Sequence, residues 1–180
     1  SRTPIREAIR RLAEERLVEV TPQQGTIVSR IDTVRARQAI FVRQTIECGV
    51  LERKGRLDEK ELAILEGEVR RHVDAIAAHD TLASAELDEA FHARLMLCCD
   101  CPEATTAIRA ISGDIARILF LSGSDEHYYS SVANDHMRLI ELMREGRYSE
   151  AVDMLRRHIG GFAVDQQELR GKSADFFTGE

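Results

Sequence analysis

Residues 32–54 read DTVRARQAIFVRQTIECGVLERK, and the spacing of their apolar positions decides the fold. Ala39, Ile40, Ile46 and Val50 recur three, four and seven residues from Arg43, the period of a helix with one face turned inward. Gly55 ends the stretch. The same period then continues over 58–79, 82–99, 102–121, 127–145 and 147–170. Its breaks fall at Asp80-Thr81, Asp100-Cys101-Pro102, Ser122-Gly123-Ser124 and Gly146. Long helices joined by short connections are antiparallel neighbours. The expectation is an all-α antiparallel bundle over 36–170, reached through a linker at 30–35 and followed by a polar, frayed tail at 171–180.

The chain of 180 residues is 43% hydrophobic and 31% charged, with 3 Pro and 11 Gly, so it carries enough apolar mass for a core and lacks the composition of a disordered chain. No apolar run is long enough to span a membrane. Four cysteines do not make a disulfide framework, and the expected compartment is the cytoplasm. Cys98, Cys99 and Cys101 lack the spacing of a zinc knuckle and read as reduced and partly buried, with a redox sensor as the lesser alternative.

The first 29 residues differ from the rest. They hold five Arg against four acids, whereas 30–180 hold 20 basic and 27 acidic residues. Thr3 and Pro4 suit the start of a helix over 3–17, and Ile5, Ala8, Ile9, Leu12 and Ala13 give it an apolar stripe. Leu17–Val20, a turn at Thr21–Gly25, and Thr26–Val28 read as strand, turn, strand. A helix with arginines at its positive end, followed by a small β wing, is a geometry that reads DNA. An ordinary charged amphipathic helix before a hairpin fits the spacing equally well.

Three histidines lie on apolar helix faces. His92 is four residues after Asp88 and is flanked by Leu95 and Met96; His136 shares a face with Leu139, Ile140 and Met143; His158 shares one with Ala151, Met154 and Leu155. Singly, each is more often a hydrogen-bonded core residue. Together with Asp88 they suit a divalent cation. His72 also sits on an apolar stripe, with Leu65, Val69 and Ile76, and is not counted as a ligand. His79 and His127, near helix ends, are expected to be exposed. Arg43 on its apolar face needs a partner: Glu47 one turn on, or the carboxylate of a bound metabolite.

Both regions resemble one group of proteins. SRTPIREAIRRLAEERLV with TPQQGTIV resembles the recognition helix and wing of the GntR family of winged helix-turn-helix regulators. Arg43–Glu47, Asp88–His92, Asp135-His136 with Ile140, and Gly146 through Ala151 to His158 resemble the FCD effector domain of its FadR subfamily. The first resemblance implies two further helices ahead of a partial DNA-binding domain at 1–29. It also implies DNA contacts by Arg2, Thr3 and Arg6, Gly25 at the wing tip, and Arg10 and Arg11 as further phosphate candidates. The second implies one divalent metal per subunit on Asp88, His92, His136 and His158, zinc first, with nickel, iron or manganese as alternatives. It further implies that Arg43 binds a small organic acid effector. The expected function is a metabolite-responsive regulator that binds operator DNA as a homodimer and is not an enzyme. A helical-bundle metalloenzyme is the rival, but neither HExxH nor paired Glu-x-x-His motifs occur. A regulator with a metal-free effector pocket is the third reading.

Overall fold

The computed structural model describes residues 1–122, 126–172 and 174–178; for 126, 127, 162–170 and 172 it describes the backbone alone. The expected break at Gly123-Ser124 and the side chain of His127 lie outside the described residues. Helix α1 (Arg2–Glu14) leads into strands β1 (Val18–Thr21) and β2 (Gly25–Val28). Then come α2 (Thr33–Lys54), α3 (Glu59–Ala77), α4 (Thr81–Cys98), α5 (Pro102–Arg109), α6 (Gly113–Ser122), α7 (Glu126–Arg144) and α8 (Tyr148–Lys172), and a 3-10 turn at Ala174–Phe176.

The helix starts follow from capping. Asp32 accepts from the backbone of Val34 and Arg35 to open α2, and Asp58 with Glu61 forms a reciprocal capping box for α3. At α1 the cap is Ser1, two residues earlier than the expected Thr3, because its hydroxyl accepts from the Thr3 amide at 3.3 Å. Pro4 then falls within the first turn, where an N–H would lack a helical partner anyway. In the hairpin, Val18 pairs with Val28 and Thr21 with Gly25. Gly25 sits at φ +113°, a backbone state closed to side-chain-bearing residues.

Two expectations fail. The stretch 102–121 is two helices, because Ser112 bonds its hydroxyl back to the Ile108 carbonyl and Gly113 follows. At Gly113 a Cβ would come within 2.9 Å of the Leu17 side chain, so the break lets the base of the hairpin seat against α6. The tail is also not frayed at its described residues. Phe177 is buried with Ile31, Ala36 and Ile118 in a small second core. Ile31 donates to the Phe176 carbonyl at 2.8 Å and accepts from the Thr178 amide at 2.9 Å.

The main core is shared by α2 through α8. Helix α4 packs on α3, α5, α6, α7 and α2, and α8 packs on α2, α7 and α6. The interior of the bundle is therefore walled by α2, α3, α4, α7 and α8. Helix α1, by contrast, buries none of its residues.

Candidate metal centre

Asp88 and His92 enter the bundle interior from α4, His136 from α7 and His158 from α8, and all four are buried. One ligand atom from each lies within 4.8 Å of the others. The Nε2 atoms of His92 and His158 are 3.2 Å apart, those of His136 and His158 3.1 Å, and those of His136 and His92 3.3 Å. Asp88 Oδ1 lies 3.6 Å from His136 Nε2 and 4.0 Å from His92 Nε2. With metal–nitrogen bonds of about 2.1 Å, octahedral neighbours are about 3.0 Å apart and opposites about 4.2 Å; tetrahedral neighbours are about 3.4 Å apart. The observed separations fall within that span.

Polar accounting supports the same fit. Both Asp88 oxygens are buried without a hydrogen-bond partner. Burial raises the Asp88 pKa to about 6, against the pull of Arg43. Burial likewise holds His92 and His136 well below the usual imidazole value. Three imidazoles that point the same ring nitrogen at one place, beside an orphaned carboxylate, form a donor set for a divalent cation.

Outer partners fix two of the rings. His92 Nδ1 meets Glu47 Oε2 at 2.6 Å, and His158 Nδ1 meets Asp135 Oδ2 at 3.2 Å. In both rings it is Nε2 that faces the other histidines. Sequence reasoning missed these two roles. Glu47 was read only as an ion-pair partner, and its reach to a histidine 45 positions away has no local signal.

Arg43 is completely buried, and its Nε donates to Glu47 Oε1 at 2.7 Å. The expected pair is thus present, yet it occupies one nitrogen. Nη1 lies 3.4 Å from Glu89 Oε2, and neither Nη1 nor Nη2 has a hydrogen-bond partner among the described residues. Burial opposes the charge, but Glu47, Glu89 and Asp88 hold the guanidinium pKa above its usual value.

The cysteines are free. Burial pushes the Cys99 thiol up to about 12 and raises that of Cys98, which disfavours the thiolate at these two positions of the cluster. His79 is exposed, as expected.

The DNA-side candidates Arg2, Thr3, Arg6 and Gly25 are all exposed. Among the described residues, Arg2 and Arg6 take part in no ion pair. Arg10 is held by Glu7 at 2.6 Å and by Glu14, and Arg11 lies 3.6 Å from Glu7. That ties up the two lesser phosphate candidates and leaves Arg2 and Arg6 at the helix start unengaged.

Known proteins match along the whole chain. The FCD domain model matches residues 38–161, and the model of bacterial regulatory proteins of the gntR family matches residues 1–28. The transcriptional repressor RspR of Escherichia coli K12 is 28% identical over 182 residues, covering 100% of this chain and 79% of that protein. An uncharacterized HTH-type regulator from an unstable DNA locus of Streptomyces ambofaciens is 31% identical, covering 99% of this chain and 75% of that protein. A putative GntR regulator of Rhodococcus sp. RHA1 superposes with a TM-score of 0.76 at 18% identity, over 95% of this chain and 81% of its own. McbR/YncC of E. coli gives 0.75 at 16%, over 92% and 85%. These two show a shared fold. With a bundle matched over 38–161 and a helix and wing matched over 1–28, the chain belongs to the GntR family of bacterial transcriptional regulators that carry an FCD domain, its DNA-binding module only partly present.

Proposed function

We propose that this chain is the metal- and metabolite-sensing part of a cytoplasmic, homodimeric regulator. Residues 1–29 form the recognition helix and wing, 30–35 the linker, and 36–170 the effector domain. Arg2, Thr3 and Arg6 contact operator DNA and Gly25 brings the wing backbone close. Asp88, His92, His136 and His158 hold one divalent transition metal, with zinc first and nickel, iron or manganese as alternatives. The observation that carries this reading is the orphaned Asp88 carboxylate facing three converging Nε2 atoms.

Four protein ligands leave two positions of a six-coordinate ion for water or for oxygens of an effector. Arg43 Nη1 and Nη2, which make no hydrogen bond among the described residues, offer a planar fork for a carboxylate, with Glu89 beside Nη1. Together they favour a small organic acid that docks on the metal and Arg43. Among the described residues no helix is long and apolar enough to cross a membrane.

Metal analysis of protein purified without added ions tests the site. One ion per chain is expected, lost in His136→Ala and His158→Ala. Full stoichiometry in those variants would show the ligand set to be wrong. Calorimetry with small mono- and dicarboxylates and sugar acids tests the effector, on metal-loaded protein, metal-free protein and Arg43→Lys. Lysine keeps the charge and removes the fork. Equal affinity for the three forms overturns the docking arrangement.

A further inference from the structure

A histidine that ligates a metal almost always donates its other ring N–H to a carboxylate, a carbonyl or a water, which fixes the tautomer and the ring angle. Two of the three imidazoles here comply, His92 on Glu47 and His158 on Asp135. His136 does not: its Nδ1 is buried without a partner.

The other buried imidazole without partners is His72. Both its ring nitrogens are orphaned, and it is wholly inaccessible. It stands on α3, which packs against α7, the helix of His136. The two ring centroids are 6.2 Å apart, tilted by 44°. Phe91 stacks on the His136 ring at 3.8 Å and restricts where its nitrogens can turn. Tyr129 holds the His72 ring edge-on at 5.7 Å while its hydroxyl donates to the Leu119 carbonyl at 2.9 Å. Tyr129 therefore positions His72 without satisfying it. Ring nitrogens turned toward each other across this centroid separation lie closer than the centroids do, within reach of one bridging water or of a small ring rotation.

We infer that His72 is the outer partner of His136: it accepts, through one bridging water or after a small rotation, the proton that His136 carries on Nδ1 when Nε2 faces the metal. The inference rests on the metal reading above. A neutral imidazole offers one ring nitrogen as an acceptor, and neither nitrogen of His72 has a hydrogen-bond partner. Each of the three ligating imidazoles then has its own anchor, Glu47 on α2, Asp135 on α7 and His72 on α3. The sequence reading set His72 aside as a core residue; it is one, but placed beside the ligand that lacks an anchor.

The test is zinc affinity, by competition with a chromophoric chelator, for wild type, His72→Leu and His72→Gln. Loss of an outer partner weakens metal binding about 10–100-fold. That loss is expected for leucine, whereas glutamine, which keeps an acceptor, stays within a few-fold of wild type. Metal-free His72→Leu is expected to be at least as stable as wild type, which separates positioning from packing. Zinc affinity unchanged in His72→Leu overturns the inference, as does an equal loss in both variants. Nitrogen-15 histidine spectra of the zinc-loaded wild type give a second readout without any substitution. A hydrogen-bonded Nδ1–H on His136 and an engaged nitrogen on His72 are expected; two unengaged His72 nitrogens overturn it. If the wild type binds no zinc, the metal reading itself fails, a result distinct from the others.

Discussion

Three imidazoles and two carboxylates, all buried, set the acid response of the metal-free protein. His72, His92 and His136 are held below the unperturbed value of 6.5, so the unfolded chain takes up protons that the folded chain refuses. Their contribution to stability is therefore full above about 6.5 and is lost as pH falls through the folded values. Asp88, raised to about 6, and Glu47, also raised by burial, have the opposite sign, because the folded state holds protons there that the unfolded state releases. Three histidines outweigh two carboxylates, and the net expectation is loss. Urea midpoints of metal-free protein should fall between pH ~6.5 and ~4. His72→Leu should flatten that fall by about one proton, about 1.4 kcal/mol per pH unit. An unchanged slope would mean that His72 titrates normally in the folded protein. Helical spacing marked the three histidines as inward-facing and put Asp88 on the face of His92, while it was the resemblance to the FCD domain that implied the four as a ligand set. Their outer partners were not legible, because Glu47 meets His92 across two helices.

At the scale of elements, the linker is held from both sides. Asp114, buried on α6, pairs with Arg35 at 2.5 Å and with Arg117. Arg117 donates to the carbonyls of Ser29 at 2.5 Å and Arg30 at 3.5 Å. From the other side Phe177 covers Ile31. Helix α6 packs on α4 and α8, which carry Asp88, His92 and His158, so the candidate metal helices and the linker share one neighbour. Phe177→Ala should cost about 3–5 kcal/mol by cavity formation. Arg117→Ala should cost less, because its guanidinium is partly solvated. Amide hydrogen exchange at Ser29 and Ile31 should quicken in both. Protection that stays at wild-type levels would show that the linker is held by the hairpin alone. The split of 102–121 and the docking of Phe177 escaped the sequence reading for one reason. Both bring in a distant side chain: the local break at Ser112-Gly113 is where Leu17 packs, and Phe177 is buried against Ile31.

Over the whole molecule, the functional prediction is reciprocal coupling. An acid that docks on the metal and Arg43 and alters DNA affinity must have its own affinity altered by operator DNA by the same factor. Calorimetry of the acid with and without a two-half-site duplex, on a chain with a complete DNA-binding module, measures it; an acid affinity that the duplex leaves unchanged would show that the acid site and the DNA site are not coupled. Two half-sites call for a two-fold assembly. Sedimentation should accordingly find a dimer at micromolar concentration, and a strict monomer on and off DNA would remove that geometry.

The amino-acid sequence determined the helical class, the hairpin, most of the helix boundaries and three inward-facing histidines. Periodicity and capping are local: they depend on residues within a turn or two, and one chain carries them whole. Only the tertiary structure decided that the three Nε2 atoms converge within 3.3 Å, that Arg43 Nη1 and Nη2 are left without a hydrogen bond, and that His72 stands beside the one unanchored ligand. Those facts depend on how α2, α3, α4, α7 and α8 pack and rotate against one another. A helix period fixes which face turns inward but not which atom on the opposite helix it will meet.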